Sequence, residues 1–358
     1  MLQSKFYYER KVFIMKKMFG KISVILSLVL IVMTLSACGT KNAGAVQTES
    51  TSAESTQAAV KADVKVAALK GPTAIGMIQV MKNAKEGKAD NNYEFQIAAA
   101  ADEFTAELIK GNVQFAAMPC NAAAALYNKS GGKIKILGIN TLGVLYILDT
   151  GKSVQSVEDL KGKTIYATGK GTTPEYTLRY LLKSAGINPD KDVTIEFKSE
   201  AAEVAALLAK AGSEDIVAML PQPYVTTVLM NNENVRVAID VTKEWEKLNG
   251  SDSTVVTGVV VVNTEYYNNN KAVADTFIKE YEKSASYVNA NVDEAAQLVE
   301  EFDIFKAAVA KKAIPDCNIT FIKGSEMKNK VAKYLKVLYD ENPASIGGAM
   351  PGDDFYIN

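Results

Sequence analysis

Residues 156–193, which read SVEDLKGKTIYATGKGTTPEYTLRYLLKSAGINPDKDV, carry the clearest fold pattern in the chain. The strand-like run KTIYAT leads into a loop with two glycines, and this loop opens an amphipathic helix that ends at Gly186. Another strand-like run, DVTIEFK, begins six residues later. A strand, a helix and a strand in succession predict two parallel strands joined by a helical crossover.

The same alternation extends through most of the chain from residue 63. The strand-like runs DVKVAALK, YEFQIAAA, VQFAAM and KIKILGINT come before it, and DIVAMLP and the nearly all-apolar STVVTGVVVVNTEYY come after it. From about Asn268 the pattern becomes mostly helical. We predict an α/β fold with largely parallel sheets flanked by helices, in which loops at the carboxyl ends of the strands form the functional edge.

The loop after KTIYAT has the features of an anion-binding turn. It matches neither G-x-x-x-x-G-K-[ST] nor G-x-G-x-x-G, so it is not a standard nucleotide loop. Its glycines permit close backbone approach, its hydroxyl groups can bond a ligand, and Pro174 suits the first turn of a helix whose free amides attract anions. The alternative is a turn that only caps its own helix. We predict ligand contacts from Gly169, Lys170, Gly171, Thr172 and Thr173.

A second set of candidate ligand residues follows two earlier strands. Asn121 comes after VQFAAM, and Lys70 could either neutralise an anionic ligand or lie solvated at the rim of the site. The stretch after DVKVAALK likewise places a hydroxyl at a helix start, and its candidates are Lys70, Gly71, Pro72 and Thr73.

Three other residues have two alternative roles each, a ligand contact or a structural role. Asp102 and Glu103 follow YEFQIAAA, and we expect them to cap the next helix. Trp245 is the single tryptophan, which either stacks on a ligand ring or packs against other side chains. Its role stays open at this point.

Composition is that of a soluble globular protein and argues against the commonest enzyme mechanisms. The chain has 358 residues, of which 48% are hydrophobic and 23% charged, as in ordinary globular proteins. It contains no histidine, which excludes Ser-His-Asp and Cys-His mechanisms and histidine-ligated metals. Catalysis by carboxylates or lysine alone stays open, but we expect no enzymatic activity, no cofactor and no metal.

The N-terminus resembles the signal peptide of a bacterial lipoprotein. Lysines precede the apolar run ISVILSLVLIVMTL at residues 22–35, which is short for a membrane span, and LSAC at residues 35–38 resembles a lipobox. We therefore expect residues 1–38 to be a signal peptide with lipidation at Cys38, and Met15 to be a possible true start. The alternative is an uncleaved membrane anchor. Residues 39–62, rich in Ser, Thr and Ala, are expected to form a flexible tether.

Charge and cysteine content bear on two further questions, nucleic-acid binding and disulfide formation. Beyond residue 38 the chain has 34 basic and 40 acidic residues, which gives a formal net charge of −6 and no basic face for nucleic acid. Cys120 and Cys317 are far apart in sequence, and the pattern leaves open whether they form a disulfide or remain two buried thiols.

Taken in order, several segments resemble the substrate-binding lipoproteins of bacterial ABC importers, in the branch for nitrate, sulfonates, taurine and thiamine precursors. Besides the lipobox, the tether and residues 156–193, they are AAMPCNAAAALYN, AMLPQPYVT, GVVVVNTEYY and SIGGAMPGDDFYIN. The resemblance runs from about residue 63 to the C-terminus.

This resemblance implies a periplasmic-binding-protein fold of two lobes, with the ligand in the cleft between them. Lobe one would comprise residues 63–149 and 256–358, lobe two residues 150–255, and the chain would cross the hinge twice. Gln222 would lie at a ligand position where relatives often carry Glu.

The implied function is the capture of a small polar or anionic solute for an ABC importer. The implied partners are that ligand, the permease and ATPase subunits, and the outer face of the cytoplasmic membrane through the lipid anchor. We expect a monomer that binds no nucleic acid. A lipoprotein of the same fold that senses or adheres without transport is the alternative, which neighbouring permease and ATPase genes would argue against.

Overall fold

The structure, a computed structural model, describes residues 61–250 and 253–357. The predicted signal peptide, Cys38 and nearly all of the tether lie outside these residues. The last two residues assigned to the tether, Lys61 and Ala62, are described and contact the folded part: the Asn92 amide donates to the carbonyl oxygen of Ala62 at 2.9 Å. None of the described helices is long and apolar enough to cross a membrane.

Strands and helices alternate along the described chain, as the sequence predicts. The strands are β1 (Asp63–Leu69), β2 (Asn92–Ala98), β3 (Phe115–Pro119), β4 (Ile134–Thr141), β5 (Leu145–Asp149), β6 (Thr164–Ala167), β7 (Thr194–Phe197), β8 (Val217–Pro221), β9 (Arg236–Asp240), β10 (Gly258–Asn263) and β11 (Ile319–Ile322). The helices are α1 (Pro72–Ile75), α2 (Ile78–Lys85), α3 (Asp102–Lys110), α4 (Cys120–Ser130), α5 (Thr173–Ser184), α6 (Ala201–Lys210), α7 (Tyr224–Asn231), α8 (Val241–Asn249), α9 (Thr264–Asn269), α10 (Lys271–Ala290), α11 (Val292–Glu301), α12 (Ala307–Ala313) and α13 (Gly324–Glu341).

The strands form two sheets, one for each lobe. The first has the order β11-β4-β10-β3-β1-β2 and the second the order β7-β6-β8-β5-β9. In the first sheet β1 pairs in parallel with β2 and β3, and in the second β6 pairs in parallel with β7 and β8. The two-lobed α/β fold of the prediction is therefore correct.

The expectation of largely parallel sheets needs correction, because both sheets are mixed. β10 is antiparallel to β3 and β4, β11 is antiparallel to β4, and β5 is antiparallel to β8 and β9. β5 and β10 are the first strands after the chain passes from one sheet to the other. Each begins at the carboxyl edge of its neighbours, because Leu145 lies opposite Pro221 and Gly258 lies opposite Pro119. Each strand therefore runs antiparallel to those neighbours.

The first crossing lies slightly earlier than the predicted lobe boundary at residue 149. β5, which the prediction assigns to lobe one, belongs to the second sheet, so the chain crosses between Thr141 and Leu145. The second crossing falls between Asn249 and Gly258, in the region predicted. A local pattern identifies β5 as a strand but contains no information about the sheet in which it pairs.

The core fills both faces of each sheet. β10 is buried along its whole length, as its apolar sequence predicts. Trp245 is fully buried between the rings of Tyr180 and Tyr334, and its indole N–H donates to Ser253 Oγ at 3.1 Å. Trp245 is thus a core residue rather than a ligand platform.

Both described cysteines are free thiols. Cys120 and Cys317 are buried, and burial raises the pKa of each thiol above its ordinary value. The thiols therefore stay protonated near neutral pH and pack as small apolar groups.

Candidate ligand-binding site

A cavity of about 550 Å³ lies between the carboxyl edges of the two sheets. This is the position expected for a ligand site in an α/β protein, because loops and helix N-termini from both sheets converge there. The wall on the side of the first sheet is formed by Leu69, Lys70, Pro72, Thr73, Ala99, Ala100, Ala101, Asp102, Pro119, Thr141 and Thr257. The opposite wall is formed by Val144, Leu145, Thr168, Gly169, Lys170, Thr172, Thr173, Pro174, Lys198, Ser199, Glu200, Ala201, Pro221 and Tyr224.

Seven of the residues predicted to contact the ligand line this cavity: Lys70, Pro72, Thr73, Gly169, Lys170, Thr172 and Thr173. Lys70 and Lys170 are exposed, and neither ammonium group has a hydrogen bond or ion pair within the described residues. The hydroxyl groups of Thr73 and Thr172 donate to the carbonyl oxygens of Leu69 and Gly169, both at 2.7 Å. The structure brings these residues together, and their contact with a ligand stays a prediction.

Asn121, in contrast, is buried behind the wall and has structural partners. Its side-chain amide donates to the carbonyl oxygen of Ser345 at 2.9 Å and to that of Gly171 at 3.3 Å. Its Oδ1 accepts a hydrogen bond from the Thr173 hydroxyl at 3.2 Å. Asn121 thus supports the loop at residues 169–173, and its predicted contact with the ligand stays a prediction.

The two glycines Gly71 and Gly171 also lie outside the cavity wall. The amide of Gly171 donates to Glu175 Oε2 at 2.7 Å, so it is not the free anion-binding amide that the sequence suggested. Gly71 has a φ of 140°, and its carbonyl oxygen accepts from the amides of Ala74 and Ile75 at the start of α1. Both residues shape the loops, and a direct contact of either with the ligand stays a prediction.

Gln222 is the fourth predicted residue that the structure places elsewhere. It is buried, and its Oε1 accepts hydrogen bonds from the amide of Thr226 at 3.2 Å and from its hydroxyl at 2.8 Å. Gln222 therefore closes the first turn of α7 and does not reach the cavity.

Thr141 and Thr257 line the cavity, and sequence reasoning did not identify them. Their hydroxyl groups are buried and have no hydrogen-bond partner within the described residues. Thr141 ends β4 and Thr257 precedes β10 directly. The signal that could have found Thr141 is its place at the carboxyl end of a strand, the rule that identified the other loops.

The capping role predicted for Asp102 and Glu103 is not seen in the structure. Glu103 Oε1 accepts from the amides of Ala99 and Ala100, both at 2.9 Å, and so holds the residues that lead into α3 rather than the amides of its first turn. Asp102 lines the cavity.

The cavity carries mixed charge, with three lysines and two acidic residues in its wall. Lys198 forms an ion pair with Glu196, and this hydrogen bond raises the pKa of Lys198. Burial raises the pKa of the Tyr224 phenol, which stays a neutral donor at physiological pH. No group of three or more Cys, Asp or Glu side chains in residues 61–250 and 253–357 is arranged to hold a metal.

A cavity walled by two α/β sheets, joined by two crossing segments, defines a two-lobed binding protein. Solved structures share this fold. An ABC transporter protein from Parabacteroides distasonis has a TM-score of 0.67 at 24% identity, over 83% of this chain and 99% of its own. The aliphatic sulphonate binding protein SsuA from Escherichia coli has a TM-score of 0.66 at 14% identity, over 83% of this chain and 92% of its own. The nitrate-binding protein NrtA from Synechocystis PCC 6803 has a TM-score of 0.54 at 13% identity, over 72% of this chain and 69% of its own.

Residues 85–266, just over half of the chain, match the family described as periplasmic substrate-binding proteins of phosphonate ABC transporters, and the chain belongs to this family. A comparison with curated proteins gave no match. The family and the fold confirm the resemblance to ABC importer binding proteins. The chain is the periplasmic substrate-binding component of an ABC transporter, a role that implies a small-molecule ligand and permease and ATPase partners.

Proposed function

We propose that the protein captures a small organic anion in the cavity, and delivers it to the permease from a lipid anchor on the outer face of the cytoplasmic membrane. The observation that carries the proposal is a pair of ammonium groups with no partner among the described residues, Lys70 in the first wall and Lys170 in the second. An anion between them gains charge-assisted hydrogen bonds from both lobes.

Contacts from both walls also suit a transport role. A ligand that touches both lobes stabilises the closed arrangement by the difference between its affinities for the closed and the open form. The crossing segments at residues 142–144 and 253–257 are the places where such a hinge would bend. Closure then gives the permease a loaded form to recognise.

The nature of the anion is suggested by the relatives. The matched family is named for phosphonates, and structural neighbours are named for sulphonate and nitrate. These are oxyanions whose oxygen atoms accept several hydrogen bonds, for which the ammonium groups of Lys70 and Lys170 are suitable donors. We favour phosphonates and sulfonates, because the apolar part of the wall can cover an organic tail.

A thermal-shift screen of the purified protein tests the ligand class. The compounds are alkylphosphonates, alkanesulfonates, nitrate, carboxylates, neutral pyrimidines and organic cations. A ligand at 100 times its dissociation constant stabilises a protein by about 2.7 kcal/mol, which is readily measured. Stabilisation by phosphonates or sulfonates, weakened by added salt, supports the proposal. Stabilisation by neutral or cationic compounds alone would contradict it, as would no shift with any compound.

The lipid anchor has its own test, because Cys38 is the residue that a lipobox peptidase would expose for acylation. We expect Cys38→Ala to abolish labelling of the protein with a radioactive or clickable fatty acid and to leave a longer precursor. Cys120→Ala serves as the control, because its thiol is buried in the core and should not affect labelling. Labelling of the Cys38→Ala variant would show that the anchor lies elsewhere.

A further inference from the structure

Lys170 lies in the loop between β6 and α5, with a glycine on each side. The φ angles of Gly169 and Gly171 are 74° and 76°, in the left-handed region that glycine adopts most readily. The amide and hydroxyl of Thr172 close one side of the loop by donating to the carbonyl oxygen of Gly169, at 3.0 and 2.7 Å. Because two glycines leave the backbone freer than other residues would, further contacts must fix the direction in which Lys170 enters the cavity.

Glu175, in the first turn of α5, supplies such a contact through the amide of Gly171. Its Oε2 accepts from that amide at 2.7 Å, so the carboxylate reaches back over the start of the helix. Asn121 holds the next peptide group, by donating to the carbonyl oxygen of Gly171 at 3.3 Å. Glu175 is therefore the residue that orients the peptide group between Lys170 and Gly171.

Two further residues hold the Glu175 carboxylate itself. The Glu175 residue is 8% exposed, and its Oε1 accepts from Arg179 Nε at 2.8 Å. The guanidinium group of Arg179 also donates to Asp190 Oδ1 at 2.8 Å, in the segment that leads from α5 to β7. None of these three residues lines the cavity. The carboxylate thus has a positive charge beside it and hydrogen bonds on both oxygen atoms, which keep it in one orientation.

The charge of Glu175 and its hold on the loop have opposite effects on an anion in the cavity. A carboxylate alone would repel the anion, but the adjacent guanidinium group of Arg179 neutralises most of this effect. Fixing one backbone residue in advance is worth about tenfold in an equilibrium, because its ordering entropy is no longer lost on binding. The hold on the loop is therefore the larger effect.

We propose that Glu175 is a positioning residue for solute binding. By holding the Gly171 amide it fixes the loop in the conformation that presents Lys170 to the cavity, and Arg179 holds Glu175 in turn. This inference rests on the proposed function, because it takes Lys170 as a contact of the anion. The effect of Glu175 on affinity therefore passes through Lys170 and is independent of Lys70.

Exchange of the Gly171 amide hydrogen with solvent, followed by NMR, tests the hold on the loop without any ligand. We expect Glu175→Ala to speed this exchange about tenfold, because the amide loses its acceptor, and Glu175→Gln to restore most of the protection. Asp159→Ala is the matched control, because Asp159 also accepts from backbone amides, those of Gln155 and Ser156, but does not line the cavity. An exchange rate that Glu175→Ala leaves unchanged would overturn the proposal.

Isothermal titration calorimetry with ethylphosphonate and ethanesulfonate tests the link to Lys170. We expect Glu175→Ala to weaken binding about tenfold, Glu175→Gln to recover most of the affinity and Asp159→Ala to change nothing. In the Lys170→Gln background the effect of Glu175→Ala should fall below about twofold, whereas in the Lys70→Gln background it should be undiminished. The melting temperature of each variant without ligand shows whether it folds.

An equal loss of affinity in the wild type and in the Lys170→Gln background would overturn the proposal, because Glu175 would then act independently of Lys170. Unchanged affinity in Glu175→Ala would also overturn it, as would an equal loss in Asp159→Ala, which would indicate a general effect of stability. If neither probe binds the wild type, the proposed function is contradicted, while the exchange rate of the Gly171 amide still decides whether Glu175 fixes the loop.

Discussion

Glu175 and Asn121 hold the loop at residues 169–173 from opposite sides. Glu175 accepts from the amide of Gly171 through one oxygen and from Arg179 Nε through the other, at 2.7 and 2.8 Å. Asn121 bonds the backbone of Gly171 and the hydroxyl of Thr173. The loop is therefore ordered before a ligand arrives, which lowers the entropy cost of binding.

Thr173 is the member of this loop whose role in stability is clearest. From the sequence its hydroxyl could pass for a surface group, whereas the structure shows it fully buried and bonded to Asn121. We expect Thr173→Ala to lower the free energy of unfolding by about 1–3 kcal/mol, because it leaves a buried acceptor unsatisfied. Thr173→Ser should retain most of the stability. Denaturant unfolding measures both, and an unchanged midpoint for the alanine variant would contradict the role.

Lys70 and Lys170 are expected to contribute to affinity rather than to stability. Replacing either with glutamine removes one charged donor, and a hydrogen bond to a charged group contributes about 1.5–3 kcal/mol, or roughly ten- to a hundredfold in affinity. The melting temperature without ligand should stay the same, because neither ammonium group has a partner within the described residues. Lys129→Gln, exposed at the end of α4, is the control. Calorimetry with an anion that shifts the melting temperature measures the effect, and unchanged affinity in both cavity variants would exclude the lysines.

The helices of the site begin where strands end, but their exact starts depend on distant contacts. The sequence GPTAIGMIQVMKNAK predicts one helix after a turn, whereas the structure has α1 and α2 with a break at Gly76 and Met77. A Cβ atom at Gly76 would lie 2.9 Å from the hydroxyl oxygen of Tyr281, which donates to the carbonyl oxygen of Thr73. A tyrosine from α10 therefore fixes the geometry of the loop beside the cavity.

Gln222 illustrates the same dependence for α7. Because its side chain closes the first turn of that helix, Gln222→Ala should lower the free energy of unfolding by about 1–2 kcal/mol, the usual cost of a lost cap. Ligand affinity should not change, because Gln222 does not line the cavity. Gln96→Ala, on the exposed side of β2, should stay within about 0.5 kcal/mol of the wild type. Thermal unfolding and calorimetry separate the two effects, and weaker ligand binding with normal stability would restore Gln222 to the binding site.

Each of the two segments that join the lobes contains or adjoins a glycine that is tightly packed against neighbouring side chains. A Cβ atom at Gly143, in the first crossing, would lie 1.7 Å from Thr242 Oγ1, and one at Gly258, at the end of the second, would lie 2.5 Å from Asn140 Oδ1. The carbonyl oxygen of Gly143 also accepts a hydrogen bond from Asn318. The geometry of the crossings thus depends on residues from both lobes.

Gly143→Ala tests this packing for the whole molecule. The added methyl group must displace the start of α8, and overpacking of this kind costs about 1–3 kcal/mol. Gly212→Ala is the matched control, because the nearest atom to its Cβ would be 3.5 Å away, and we expect a change within about 0.5 kcal/mol. Equal melting temperatures for the two variants would show that the first crossing segment accommodates the added methyl group without a loss of stability.

Local sequence patterns determined the strands, the helices that follow them and the loops at the strand ends, and so they led to the α/β fold and to seven residues of the cavity wall. The division into two lobes came from the resemblance to ABC importer binding proteins. Apolar periodicity and loop chemistry act over a few residues, so these features can be read directly from the chain.

Only the tertiary structure decided the reversed direction of β5 and β10, the capping role of Gln222 and the burial of the Thr141 and Thr257 hydroxyl groups without a partner in the part of the chain that the structure describes. It also decided that Asn121 supports the loop, because its partner Ser345 lies 224 positions away. The hydrogen bonds of buried side chains join segments that are remote in sequence, and whether such a group has a partner depends on the packing of the whole chain.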